Sequence, residues 1–373
     1  MSGEHSILPP SSAARRVQCP ASTRAEAAYP ETEDSPEAAE GTAAHWGLAE
    51  MLSGRLVDVG QIAPNGVYLT EEMIEAIDLT HADIEATLAP FGLKTHQGAV
   101  EQRVAILSVH AEAWGTPDYS IWLTPEHLLV VDFKFGHRPV DVFENWQLIE
   151  YVAGLLHERG ADDMRTRVTV KIAQPRAFHR DGPIRSWSFP ATDIRAHVNI
   201  AHAAAVEALG PNPRFRVGPE CRDCRARHAC ETLQRAAMNA CDIAGAAQPF
   251  DLPPAALALE YRTLKRYAAL LDARLTGLEE QALAQIKAGK PLPGLRVEHG
   301  AGREVWTITD LQVIQIGKAI GVNVARPLTA MTPKQAVKAG LPDAILAGIV
   351  NTPRGEAKLV EDTGARARRV FAA

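Results

Sequence analysis

The sequence predicts an α/β fold built around a mixed sheet, and three observations carry that expectation. Strand-like runs at 101–109 (EQRVAILSV), 117–123 (PDYSIWL) and 127–134 (HLLVVDFK) are joined by short turns. Residues 143–158 (FENWQLIEYVAGLLHE) then show helical apolar spacing. A further strand follows at 165–176 (RTRVTVKIAQPR). With a helix ahead, the order is helix, three-strand meander, helix, strand, which a mixed sheet with covering helices satisfies.

Residues 1–34 are rich in Ser, Pro, Ala and Glu and show little periodicity. Ser35-Pro36-Glu37 then reads as a helix start: a capping Ser, Pro at the first helical position and an acid in the first turn. That helix is expected to run through His45 to about Leu52, and a second to occupy 70–89. Beyond a cysteine group, the Ala- and Pro-rich 237–253 reads as a linker. A long helix follows over 254–290, and a small C-terminal unit fills 291–373. Within it, LPGLRVEHGAGREVWTI suggests a hairpin, with Arg303 and Trp306 as candidate nucleic-acid contacts and a packed Trp306 as the simpler reading. Residues 1–236 are thus expected to hold the main domain.

Composition narrows the classes. A hydrophobic content of 46% and a charged content of 23% suit a folded domain. No apolar run approaches the roughly 20 residues that span a bilayer, and the N-terminus lacks the basic-then-apolar order of a secretory signal. A cytoplasmic protein with no membrane partner is expected. The net charge of −6 gives no global basic field, although a local Arg and Lys groove can still follow phosphates.

The strand LLVVDFKFG holds the first chemical signal. Asp132 and Lys134 interrupt its apolar run two apart, so they share a face. Asp118 opens the preceding strand, and a hairpin would set it beside Asp132. Two carboxylates with the Phe133 carbonyl offer hard oxygen ligands for Mg²⁺ or Mn²⁺. A lysine beside them could hold a water or steady phosphate charge. Read singly, Asp132 and Lys134 are a strand-end salt bridge and Asp118 a turn residue.

The set Pro117-Asp118 … Asp132-Phe133-Lys134 resembles the PD-(D/E)XK nuclease superfamily, and more narrowly its RecB-type clade. The resemblance implies a restriction-endonuclease-like core. His45 in AEGTAAHWG matches the clade's histidine on the helix ahead of the sheet. Gln147 and Tyr151 in NWQLIEYV match its Gln and Tyr on the following helix, four apart and so on one helix face. It implies His45, Asp118, Asp132 and the Phe133 carbonyl as metal ligands, Lys134 as the catalytic cation, and Gln147 and Tyr151 as support for the site. Glu40, about 140° around the helix from His45, reads as helix-start chemistry. Glu101 opens a core strand and could reach the site, and Arg176 is either a phosphate contact or a solvated strand end.

Cys221, Cys224 and Cys230 give C-x2-C-x5-C, one ligand short of a soft-metal site. His228 or Cys241 could complete a zinc site. The resemblance implies a different answer: iron–sulfur members of the clade add one cysteine ahead of the core, and Cys19 stands there. A 4Fe-4S cluster held by Cys19, Cys221, Cys224 and Cys230 is the expectation, with Zn²⁺ the alternative. The activity implied is a DNA exonuclease of phage or prophage recombination, repair or replication, with phage recombination or single-strand-binding proteins as candidate partners. The alternatives are a catalytically inactive DNA-binding or assembly module on the same fold, and a zinc-stabilised scaffold.

Overall fold

Local capping chemistry starts the helices that cover one face of the sheet. In the computed structural model, α1 (Ala13–Gln18) and α2 (Ser22–Ala27) precede α3 (Pro36–Leu52) and α4 (Glu71–Leu88). Ser35 Oγ accepts the Ala38 N–H at 3.2 Å, and Thr70 Oγ1 accepts the Met73 N–H at 3.3 Å. Each cap satisfies a donor that the first helical turn leaves unpaired. The described residues are 6–29, 35–161, 164–179, 181–244, 253–299, 305–324, 333–338, 340–346, 348–351 and 357–361.

Five strands form the main sheet in the order β1-β4-β5-β6-β7: β1 (Ala99–Val100), β4 (Tyr119–Thr124), β5 (His127–Phe133), β6 (Arg167–Ala173) and β7 (Ile184–Pro190). The pair β5–β6 is parallel and the other pairs are antiparallel, so the sheet is mixed. Parallel neighbours need a crossover, and α5 (Trp146–Arg159) supplies it. Asn145 caps α5, its Oδ1 accepting from Gln147 and Leu148.

Two sequence expectations for the sheet need correction. The run 101–109 is not one strand: Glu101 takes a left-handed φ of 48°, which breaks the extended chain. Only β2 (Val104–Ala105) remains extended there, and it pairs with β3 (Trp114–Gly115) in a separate ribbon. A strand beyond β6 was not expected, yet β7 pairs along the whole of β6. Its sequence IRSWSFP alternates, and the Arg185, Trp187 and Phe189 positions share the face of Val170.

Both sheet faces are covered. Leu129, Val131 and Phe133 pack with Leu48, Ile77 and Ile84 of α3 and α4. Leu128, Val130 and Val168 pack with Leu148, Val152 and Leu156 of α5, and with Ala201 and Ala205 of α6 (Arg195–Leu209). This two-sided burial explains the unbroken apolar run of β5. Burying one such aliphatic side chain stabilises the fold by about 1.5–3 kcal/mol.

The chain divides into two compact units, Met1–Arg274 and Leu275–Ala373. The division falls inside α8 (Pro254–Lys287), not at 237–253. Residues 237–244 instead continue α7 (Glu231–Ala244), and 245–252 lie outside the described residues. In the first unit Cys221, Leu233, Leu270 and Ala273 form a small core between the cysteine segment, α7 and α8. In the second, β8 (Leu295–His299) pairs with β11 (Ala357–Glu361) and β9 (Val305–Trp306) with β10 (Val350–Asn351). The expected hairpin within 292–308 is therefore replaced by pairings to later strands. Trp306 packs against Val313, Val324 and Leu341, while Arg303 lies outside the described residues. Among the described residues, no helix is long and apolar enough to cross a membrane.

Candidate active site

The parallel strands β5 and β6 end at Phe133 and Ala173, and polar side chains gather just past the end of β5. The antiparallel register pairs Tyr119 with Val131. One step further along the ladder puts Asp118 opposite Asp132. The Asp118 carboxylate is clamped from two sides: its Oδ2 accepts the Phe133 N–H at 2.6 Å, and its Oδ1 lies 2.9 Å from His45 Nδ1. His45 comes from α3, where its ring meets Phe133 edge-on at 5.2 Å.

Lys134 takes up the other side. Its Nζ donates to Asp132 at 3.1 Å and to Gln147 Oε1 at 3.1 Å, and Gln147 Nε2 donates to Tyr151 Oη at 3.2 Å. The i, i+4 spacing on α5 thus aligns Gln147 and Tyr151 into a relay that orients the lysine. Gly115 leaves room for this helix, since a Cβ there would lie 2.7 Å from the Tyr151 ring.

Glu101 completes the group, with His45, Glu101 and Asp118 offering ligand atoms within 4.8 Å of one another. Its left-handed backbone is an uncommon conformation for a residue with a Cβ, costing on the order of 1 kcal/mol or more. The Glu101 N–H donates to the Asp118 carbonyl at 3.2 Å, which ties the bend to the site. No sequence signal marks this residue beyond an acid at the start of a strand-like run.

Charge crowding is visible in the acidities. Burial and the neighbouring Asp118 push the Glu101 carboxyl up to about 7. Burial also raises Asp132, despite Lys134. For Asp118, burial is outweighed by His45, which holds the carboxyl below the usual carboxylate pKa and so keeps it ionised. Burial pulls His45 and Lys134 down, but Asp118 and Asp132 respectively outweigh it and leave both raised. Glu101 and Asp118 with a His45 ring nitrogen form an anionic ligand set that suits a divalent cation, and Asp132, paired with Lys134, stands beside it.

Every sequence-predicted residue of this set is brought together: His45, Asp118, Asp132, Phe133, Lys134, Gln147 and Tyr151. Phe133 meets the set through its backbone N–H on Asp118, its ring being fully buried in the core. Arg176 does not stand free. Its guanidinium pairs with Glu40 at 2.7 Å and Glu72 at 2.9 Å and lies 4.4 Å over Phe135. Glu40 is accordingly an ion-pair partner rather than only helix-start chemistry.

At a second place, Cys19, Cys221, Cys224 and Cys230 line one small cavity. Cys19 caps α1, and the other three follow α6 by more than ten residues, so the cavity joins distant ends of the first unit. Backbone N–H groups point at the sulfurs: Arg216 at Cys19 (3.4 Å), Gly218 at Cys221 (3.4 Å) and Leu233 at Cys230 (3.5 Å). His228 does not line it; its ring stacks edge-on with Tyr29 at 4.4 Å and its Nδ1 meets the Arg225 carbonyl. The side chain of Cys241 lies outside the described residues.

Among solved structures, one titled "Crystal structure of SSO0001" aligns over 62% of this chain and 88% of its own at 16% identity, with a TM-score of 0.31. That resemblance is too slight to argue from. A family model matches residues 5–367, nearly the whole chain, and on that match the chain belongs to the family described as "Protein of unknown function (DUF2800)".

Proposed function

We propose that this protein is a Mg²⁺- or Mn²⁺-dependent DNA nuclease of the PD-(D/E)XK type, on a restriction-endonuclease-like core, acting as an exonuclease in phage or prophage DNA recombination, repair or replication. One observation carries the reading. Asp118, Asp132 and Lys134 converge with His45, Glu101, Gln147 and Tyr151 past the end of β5. An ion pair alone needs neither a second carboxylate clamp nor a histidine from another helix.

His45, Glu101, Asp118, Asp132 and the Phe133 carbonyl are the groups that would hold the cation. When bound, it supplies Lewis-acid polarisation of a phosphate oxygen and eases deprotonation of water. Lys134, kept protonated by Asp132, presents a positive charge to the phosphate and a donor to the attacking water. Gln147 holds the lysine in that position and Tyr151 holds Gln147. The Asp118–Phe133 hydrogen bond locks the hairpin register that sets the carboxylates opposite one another.

We assign the cysteine cavity, lined by all four thiols, to a 4Fe-4S cluster, with Zn²⁺ the alternative. Backbone N–H groups aimed at the Cys19, Cys221 and Cys230 sulfurs would stabilise thiolates bound to either, and metal content decides between them.

The test is degradation of end-labelled single- and double-stranded DNA with Mn²⁺. The parent chain should cleave, and Asp132→Ala and Lys134→Ala should each slow cleavage by at least about a hundredfold. Variants that cleave as fast as the parent would sink the site assignment. Anaerobically purified protein should be brown and carry roughly four irons per chain; a colourless, zinc-containing protein would refute the cluster.

A further inference from the structure

The loop that leaves β5 through Lys134 is held at two points that the chemistry above does not use. From inside, Gln174 grips it; this residue lies just past the end of β6 and is 1% exposed. Its Nε2 donates to the carbonyls of Gly136 (2.9 Å) and Arg138 (2.7 Å). Its Oε1 accepts from the Val140 N–H (3.0 Å) and from buried Arg185 (2.9 Å). From outside, the Arg138 guanidinium meets Asp223 in a two-point fork at 3.0 and 2.7 Å. Asp223 lies within the C-x2-C segment, between Cys221 and Cys224, and both of those line the cysteine cavity.

Lys134 and Arg138 are four residues apart. So a span of one loop separates the ammonium at the carboxylate site from a side chain bonded to the cysteine segment. A forked guanidinium–carboxylate pair fixes direction as well as distance. A partly exposed pair is too weak to decide whether the domain folds. At up to about 1 kcal/mol it is strong enough to restrain a short loop.

We propose that Arg138–Asp223 is a positioning link through which the state of the cysteine cavity sets the conformation of the 135–140 loop and, with it, the placement of Lys134. For its consequence in cleavage this inference rests on the nuclease reading; the mechanical link itself does not. Gln174 keeps the loop backbone close to β6, so releasing Arg138 loosens the loop without unfolding it. The fork joins Arg138 and Asp223 to each other rather than to Asp118, Asp132 or a cysteine sulfur, so the pair acts through its neighbours.

The test is hydrogen exchange of peptides spanning 135–142 in the full chain, with α4 peptides as a control for the fold. Asp223→Asn should raise exchange in the loop about fivefold, the ratio expected of one weak ion pair. Cys224→Ser should do the same, and the double variant should exchange no faster than either single. The charge exchange Arg138→Asp with Asp223→Arg should return the loop to within about twofold of the parent. Additive singles, or a loop indifferent to Cys224→Ser while α4 is unchanged, would overturn the link. Cleavage adds a separate readout: Asp223→Asn should lower kcat and leave KM unchanged. If the loop responds but the parent chain cleaves no DNA, the nuclease reading fails and the link stands. If the parent cleaves and the loop does not respond, the link fails alone.

Discussion

Arg16 and Glu150 are both fully buried and bonded to each other, one from α1 and one from α5 between Gln147 and Tyr151. Arg16 Nη1 also reaches the Pro9 carbonyl and Ser12 Oγ at 3.3 Å. Arg16 Nε and Glu150 Oε2 have no partner among the described residues, so the pair is incompletely satisfied. Replacing one partner strands the other charge and should cost about 3–5 kcal/mol, whereas Arg16→Met with Glu150→Leu should be neutral or stabilising by about 1–4 kcal/mol. Glu150→Leu should be the worse single, because a guanidinium cannot deprotonate.

The pH dependence has a definite sign. Burial, outweighing Arg16, pushes the Glu150 carboxyl from its ordinary 4.5 up to about 7. The folded state therefore holds the extra proton between those values. The stability it contributes is intact below about pH 4.5 and lost as pH rises through about 7. A gap of that width is worth about 3 kcal/mol, at about 1.4 kcal/mol per pH unit. The cost of Arg16→Met should shrink at pH 5, where Glu150 is protonated in parent and variant alike. Urea unfolding followed by tryptophan fluorescence at pH 5 and pH 8 measures all four proteins. A double variant as unstable as the sum of its singles would refute the reasoning, as would a pH-independent Arg16→Met.

Two further outcomes follow from the site. Mn²⁺ affinity, measured calorimetrically, should weaken as pH falls through about 7, where Glu101 takes up its proton. Glu101→Gln should flatten that dependence, and an unchanged slope in the variant would remove Glu101 from the ligand set. Gly115→Ala places a Cβ 2.7 Å from both the Tyr151 ring and Pro10. Overpacking there should cost about 1–3 kcal/mol in unfolding experiments and slow cleavage by displacing Tyr151 from Gln147; wild-type values for both would show that the contact relaxes freely.

Much of the site was legible because its pieces are local patterns. Asp132 and Lys134 share a face by strand alternation, and Gln147 and Tyr151 by helix spacing. The residues that were harder to read owe their place to the backbone or to distant partners. Glu101 joins the carboxylates through a left-handed bend that its neighbours in sequence do not announce. Arg176 looked available for phosphate, yet two glutamates 136 and 104 residues away neutralise it. The serines of β7 dilute its apolar signal, and alanine-rich sequence beside prolines makes the 237–244 helix resemble a linker.

Sequence alone carries the α/β class of the first unit, the Ser35 cap that starts α3, and the chemistry available at β5 and in the cysteine motif. These depend on interactions within a few residues, where period and capping chemistry are decisive. The tertiary structure alone decided that Asp118 stands one register step from Tyr119–Val131, opposite Asp132, and that His45 reaches it from another helix. It also decided that Cys19 shares a cavity with cysteines some 200 residues on, and that Arg16 is buried against Glu150. Those contacts join segments with no local signal in common. They form because burying both faces of the sheet leaves each helix few ways to pack, and that constraint belongs to the whole chain.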